Sequence, residues 1–159
     1  FGPDVIIKNN VQIKAFSHIE GVKILDNAAV GPFVRLRPGT VIGPNSHIGN
    51  FVEIKKTNIK KNSKVNHLSY LGDSNIGENV NIGAGVITCN YDGSKKNKTK
   101  IEDNVFVGSN ASLVAPIKLN KNSIVGAGSV ITESVKENAL AVERNEQRIF
   151  PNYKKNRRK

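Results

Sequence analysis

Aliphatic residues recur along this chain with a step of six. They stand at Ile7, Ile13, Ile19, Ile24, Val30, Leu36, Ile42, Ile48, Ile54, Ile59, Val65, Leu71, Ile76 and Ile82, with three steps of five, and resume at Ile101, Val107, Leu113, Leu119, Val125 and Ile131. Four places after most of them comes a small or β-branched residue, as at Ala28, Val34, Ser46, Val52, Ser63, Ser69, Ala111, Ser123 and Ser129. The 3, 4, 7 spacing of an amphipathic helix fails throughout. Repetition at this short period predicts a solenoid of hexapeptide repeats. A longer period sets its cross-section. Asn occupies the fourth place of its hexad at Asn10, Asn27, Asn45, Asn62, Asn79, Asn104 and Asn122, at intervals of 17, 18, 17, 17, 25 and 18. One corner in three therefore demands a residue that tolerates the left-handed backbone conformation. The expected fold is an all-β parallel β-helix with three hexads per coil and six to seven coils. Its short strands should stack at ~4.8 Å per coil.

The interval of 25 carries about seven residues beyond one coil. They fall in the turn-rich, basic segment 88–100, which has no hexad phase and gives a solenoid no stability, so it is a candidate for function. The β-helix is expected over residues 1–135 with this loop inserted. After Ile131 the phase ends, and residues 136–159 read as an arm, helical around Glu137–Glu143, followed by a basic tail. That tail (Lys154, Lys155, Arg157, Arg158, Lys159) supplies five of the eleven net positive charges and reads as a solvated terminus.

Composition narrows the class. The chain has 159 residues with a hydrophobic fraction of 38%, too apolar for a disordered basic tail. Aromatics make up 6%, which suits a narrow triangular interior with small side chains. No apolar run approaches the ~20 residues of a membrane span. Cys89 is the single cysteine, which fits a reducing compartment and a cytoplasmic location. The chain opens Phe1-Gly2-Pro3-Asp4 rather than on methionine, so a longer parent polypeptide is expected. The net charge of +11 raises nucleic-acid binding as a reading. Few exposed aromatics are expected, and much of the charge is terminal, so no nucleic-acid partner is expected.

Residues one coil apart lie above one another. Steps of 17, 25 and 18 give the column His67, Ala84, Ser109, Ala127, an imidazole heading a track of small side chains. Beside it, Glu53 should stack under Tyr70 and Arg37 under Lys55. An imidazole, a carboxylate, a phenol and two cations thus converge from distant parts of the sequence. Glu53 is placed to hold the His67 ring and stabilise its cation. Cys89 has no histidine placed to activate it as a nucleophile. The three histidines, at 18, 47 and 67, lack the spacing of a zinc site, so no metal is expected.

Several blocks resemble one family closely: Gly31-Pro-Phe-Val-Arg-Leu-Arg-Pro-Gly39, Gly49-Asn-Phe-Val-Glu-Ile-Lys-Lys56, His67-Leu-Ser-Tyr-Leu-Gly-Asp73, Asn79-Val-Asn-Ile-Gly-Ala-Gly85, Thr88-Cys-Asn-Tyr-Asp-Gly93, Val105-Phe-Val-Gly-Ser109 and Glu137-Asn-Ala-Leu-Ala141. They are similar to the C-terminal acetyltransferase domain of the bacterial GlmU family, which joins glucosamine-1-phosphate acetyltransferase to N-acetylglucosamine-1-phosphate uridyltransferase. The similarity runs from about residue 25 to residue 144. It implies a left-handed solenoid, a homotrimer with active sites between subunits, and acetyl transfer from acetyl-CoA to the amine of glucosamine 1-phosphate. It implies His67 as general base. Arg37, Lys55, Tyr70, Asn81 and Lys96 become sugar-phosphate ligands; Ala84, Asn90, Tyr91, Ser109, Ala127 and Arg144 become acetyl-CoA contacts. The uridyltransferase domain and its Mg²⁺ would belong to the parent protein. After Arg144 the sequence Asn-Glu-Gln-Arg-Ile-Phe departs from the family pattern.

A neutral imidazole suits removal of a proton from the acceptor amine. Backbone N–H groups around Asn90–Tyr91 are candidate donors to the tetrahedral oxyanion. Two rivals remain: another hexapeptide acyltransferase, against which the Asn-Tyr-Asp-Gly and Arg-Leu-Arg-Pro blocks speak, and a non-catalytic assembly solenoid, which would not need His67 beside two cations.

Overall fold

The computed structural model describes residues 1–153. Three parallel sheets of seven, eight and seven strands form the sides of a prism, and consecutive strands pass from one side to the next. The strands run from Ile6–Ile7 to Leu140–Ala141 and are two to four residues long. Register follows the repeat. On one face Ile24, Ile42, Ile59, Ile76, Ile101 and Leu119 pair in succession. On the next, Val30, Ile48, Val65, Ile82, Val107 and Val125 do so. These side chains are buried and make up one continuous core. The expected β-helix with three hexads per coil is the observed fold.

The Asn positions turn the corners as the period predicts. Asn10, Asn27, Asn45, Asn62, Asn79, Asn104 and Asn122 all have φ between 54° and 60°. Their amides also bond vertically: Asn45 donates to Asn62 (3.3 Å), Asn62 to Asn79 (3.2 Å), Asn79 to Asn104 (3.2 Å) and Asn104 to Asn122 (3.0 Å). Asn thus does two jobs, since glycine would accept the dihedral but leave the rungs unmade. Buried serines inside the prism are likewise paired, Ser123 excepted. Ser46 Oγ donates to the Lys60 carbonyl (2.9 Å) and accepts from the Ser63 N–H (3.2 Å). Ser63 repeats the pattern one coil on, with Gly77 (2.8 Å) and Val80 (3.0 Å).

The structure corrects the expected C-terminal boundary. The arm is not helical around Glu137–Glu143: Leu140–Ala141 is a strand paired in parallel with Ile124–Val125. Asn138 sits at φ 58° and accepts from Asn122 Nδ2 at 3.0 Å, so the amide ladder continues. Val135 is buried and its carbonyl accepts from the Asn120 N–H (3.0 Å). The coil count therefore exceeds seven. The contracted interval from Asn122 to Asn138 hides this coil from a six-residue period, and the inward positions are held by Val135, Ala139 and Ala141 rather than bulky aliphatics. The basic tail from Lys154 to Lys159 lies outside the described residues.

The aromatic side chains differ from expectation in a second way: they are not few on the surface. Phe16, Phe33, Phe51, Tyr91 and Phe106 are all exposed, because the prism has no room for a ring. Phe16, Phe33 and Phe51 stack along one corner with centroids 4.9 and 5.4 Å apart, each at positive φ.

Asn62→Ala should be less stable than Asn62→Gly by about 1–2 kcal/mol, the cost of a Cβ in the left-handed region. Both variants lose the same amide rungs, so the difference isolates the backbone. Equal urea midpoints would remove conformational strain as the reason for Asn.

Candidate active site

One corner of the prism gathers the charged residues. Arg35, Glu53, Tyr70 and Ile87 face one another across successive strands, and Lys55 lies opposite Gly72. The Arg37 N–H donates to the Ile54 carbonyl (2.8 Å), which sets Arg37 under Lys55 as the column reading predicts. Arg37 Nη1 donates to Glu53 Oε1 at 2.9 Å, and Arg35 approaches the same oxygen at 3.8 Å. The loop after Cys89 brings Lys96 up to Lys55. That contact holds the Lys55 ammonium below the usual lysine range, aided by desolvation and by the charges of Lys96 and Arg37, while Asp73 pulls the other way.

Gly72 and Asn90 shape the space above Lys55. A Cβ on Gly72 would lie 2.5 Å from the Tyr70 hydroxyl and 2.6 Å from Asn90 Nδ2, so only glycine lets the phenol and the amide close over this point. Asn90 is buried and donates to Asp73 Oδ2 at 2.6 Å. The loop itself is pre-folded around Asp92. Its Oδ1 accepts from the N–H groups of Ser94 (2.9 Å) and Lys95 (2.8 Å), and its Oδ2 from Asn97 Nδ2 (2.8 Å). These bonds hold the Asp92 carboxyl below the usual carboxylate range, the Lys95 and Ser94 N–H groups having the largest effect. An antiparallel bridge between Tyr91 and Lys96 completes the turn.

The second element is the column headed by His67. The His67 carbonyl accepts from Gly85 N–H (3.3 Å), Ala84 from Asn110 (2.7 Å) and Ser109 from Gly128 (2.8 Å), so His67, Ala84, Ser109 and Ala127 stack as the intervals require. Ser109 and Ala127 are exposed and Ala84 is half-buried, leaving a track of small side chains. At the far end Glu143 accepts from the Val130 N–H (3.3 Å) and donates its own N–H to Ser129 (3.2 Å), which brings Arg144 to the Ala127 end. His67 ends one face; Leu68 turns the corner at φ 51°, and Tyr70 begins the next face.

Two expectations about individual groups change, those on Glu53 and on Asn90. Glu53 does not hold His67; its carboxylate is taken by Arg37 and Arg35, while His67 Nδ1 lies 3.0 Å from Asn50 Oδ1. The Asn90 N–H does not point to an oxyanion, because it donates to the Thr88 carbonyl at 2.9 Å. Asn81 stands apart from the Arg37–Lys55 corner, on the face of Lys64 and Phe106. Tyr91 is exposed and its hydroxyl donates to the Gly93 carbonyl (2.7 Å). Sequence reasoning missed Asn50, Gly72 and Asp73. The first was available from the same arithmetic, since it stands seventeen residues before His67. Among the described residues no group of three His, Cys, Asp or Glu side chains is disposed to hold a metal ion. No helix among them is long and apolar enough to cross a membrane.

Comparison with known proteins accords with this geometry. The bacterial transferase hexapeptide family (six repeats) matches residues 21–56, and the hexapeptide repeat of succinyl-transferase matches residues 98–133. Among solved structures, AntD, an N-acyltransferase from Bacillus cereus, superposes with a TM-score of 0.67 at 19% identity, covering 84% of this chain and 82% of AntD. The Francisella novicida UDP-N-acetylglucosamine acyltransferase superposes at 0.58 with 16% identity, over 88% of this chain and 63% of that one. Fold and repeat together define a hexapeptide-repeat β-helix domain. The bifunctional protein GlmU of Thermosipho melanesiensis is 60% identical over 141 residues, 89% of this chain and 31% of that protein. The GlmU of Zymomonas mobilis is 53% identical over 147 residues, 92% of this chain and 33% of its own length. The chain belongs to the GlmU family and spans about a third of the length of these curated relatives, their C-terminal part.

Replacing Lys96 by Gln should move the titration of the Lys55 ammonium to higher pH, because a cationic neighbour is removed while Asp73 remains. Carbon shifts of the lysine ε-methylene followed through the alkaline range check this. An unmoved Lys55 titration would mean that the two ammonium groups do not meet in solution.

Proposed function

We propose that this chain transfers acetyl from acetyl-CoA to the amine of glucosamine 1-phosphate, giving N-acetylglucosamine 1-phosphate for UDP-N-acetylglucosamine and cell-wall precursor synthesis. One observation carries the reading: Arg37, Lys55 and Lys96 converge on a single corner beside the column that His67 heads. Glu53 neutralises part of the Arg37 charge, and Asp73 is bound by Asn90. The two lysines are left to face a dianion. A sugar phosphate has that charge, and a guanidinium fork with point-like ammonium groups is a suitable cradle for it.

The co-substrate fits the second element. Ala84, Ser109 and Ala127 leave room for an extended thioester arm against the backbone, and Arg144 at the far end offers a cation to its phosphates. AntD, which shares the fold, was crystallised with an amino-sugar nucleotide and coenzyme A. In the proposed reaction the amine nitrogen attacks the thioester carbonyl carbon and His67 takes the proton that the nitrogen sheds. The tetrahedral oxyanion then collapses, the C–S bond breaks, and the thiolate regains a proton from the imidazolium. No covalent enzyme intermediate is required, because the thioester is already activated.

Tyr70 lies over Gly72, where its hydroxyl can bond the sugar phosphate. Asn81 and the exposed His67 lie on one side of the prism, which is open in a single chain. The proposal therefore includes a homotrimer in which a neighbouring subunit completes the site with Asn81, and a cytoplasmic setting where both substrates are made. Uridyl transfer and its Mg²⁺ belong to the longer protein of which this family's domain is a third.

Thiol release from acetyl-CoA by the 159-residue chain should depend on glucosamine 1-phosphate, with glucosamine 6-phosphate as the control acceptor. Thiol release at equal rates with either sugar, or with none, would sink the assignment. His67→Ala should lower kcat by ~10² or more while leaving the oligomer intact. Arg37→Ala should act mainly on KM for the sugar phosphate, at about 1.5–3 kcal/mol for a charged hydrogen bond. An unchanged KM removes Arg37 from phosphate binding.

A further inference from the structure

The imidazole of His67 has a partner that the reaction above does not use. Strand Lys64–His67 lies beside strand His47–Asn50, and in their register His67 stands directly opposite Asn50. His67 Nδ1 and Asn50 Oδ1 are 3.0 Å apart. A side-chain amide oxygen can only accept, so the ring nitrogen facing it must carry the proton. In a neutral imidazole that leaves Nε2 bare.

We propose that Asn50 is the positioning residue of the base, fixing the His67 ring in the tautomer whose Nε2 lone pair is free to receive the proton from the acceptor amine. This rests on the reading of His67 as the general base and names the group that prepares it. Asn50 is well placed to be rigid. Its side chain is half-buried, and its carbonyl accepts from the Leu68 N–H at 3.1 Å, tying it to the corner that follows the histidine. Glu53, the nearest carboxylate in the sequence reading, is engaged by Arg37 and Arg35.

An amide does for this ring what a carboxylate does in many bases, without the charge. A carboxylate partner favours the imidazolium and so keeps the base protonated to higher pH. An amide orients the ring without adding a charge beside it. The groups around His67 on the packed strands are cationic or neutral: Asn50 directly opposite it, Ala84 one coil on, and His47, Lys64 and Asn81 paired with one another three residues earlier. His47 is itself held below the usual histidine range, by burial first and then by Lys14, Lys64 and His67.

The test compares the parent chain with Asn50→Ala and Asn50→Asp in the thiol-release assay, over a pH series, with two-dimensional nitrogen spectra of the histidine rings. The parent should show His67 protonated at Nδ1. Asn50→Ala should lose that preference and about tenfold or more in kcat, with KM for both substrates little changed. Asn50→Asp should keep the Nδ1 proton and much of kcat, but move the acidic limb of kcat/KM up by about one pH unit or more. A parent ring protonated at Nε2, or an Asn50→Ala enzyme with normal kcat, overturns the proposal, and so does an Asn50→Asp profile with an unmoved limb. The nitrogen spectrum of the parent needs no variant to fold. Turnover that survives in His67→Ala refutes the base itself and is a separate result.

Discussion

A side-chain amide held at positive φ, bonded to the amide one coil above, is the element on which the rest of this structure depends. From Asn45 to Asn138 each rung donates to the next at 3.0–3.3 Å. The dihedral closes each coil after three hexads, and the hydrogen bond stops one coil from slipping over another. A shift by a single residue would carry Ile54 or Val65 out to solvent and bring a neighbouring polar residue into the core. Vertical register is thus overdetermined, by the interior apolar columns and by the amide ladder outside. Residues far apart in sequence become reliable neighbours because of it.

The chemistry of the corner follows from that reliability. Arg37, Glu53, Lys55, Tyr70 and Gly72 come from three successive coils, and none of them needs a local motif to find the others. Their charges are arranged unequally. Glu53 answers Arg37, and Asn90 secures Asp73, while Lys55 and Lys96 are pressed together strongly enough to perturb Lys55. Like charges brought together in this way are an unfavourable arrangement.

The amino-acid sequence made the framework readable because the repeat is so short. Six-residue and seventeen-residue intervals gave the three faces, the Asn corners, the His67 column and the stacking of Glu53 under Tyr70, all of which the structure contains. What stayed hidden has specific physical causes. The last coil is closed by Val135, Ala139 and Ala141 at a contracted interval, so its apolar signal is faint. Thr88 fills an inward position that elsewhere holds an aliphatic, and uses its hydroxyl to accept from the Gly72 N–H at 2.8 Å. The partner of His67 was assigned by charge to Glu53, whereas the nearer group is the neutral Asn50. Stacking arithmetic places Cα atoms in columns, but it does not say which way a long side chain such as Arg37 or Glu53 will swing.

The segment between Cys89 and Thr99 is an excursion from the prism that leaves the coils on either side in step. Ser74 pairs with Thr99, Asn75 with Lys100 and Ile76 with Ile101, as though the intervening residues were absent. Added chain at such a corner leaves the core in register, because the strand pairing resumes at Thr99. Ligand preference can therefore drift by lengthening or rewriting a single bend, while fold durability is inherited untouched. In a prism of identical storeys, a balcony can be rebuilt without disturbing the walls.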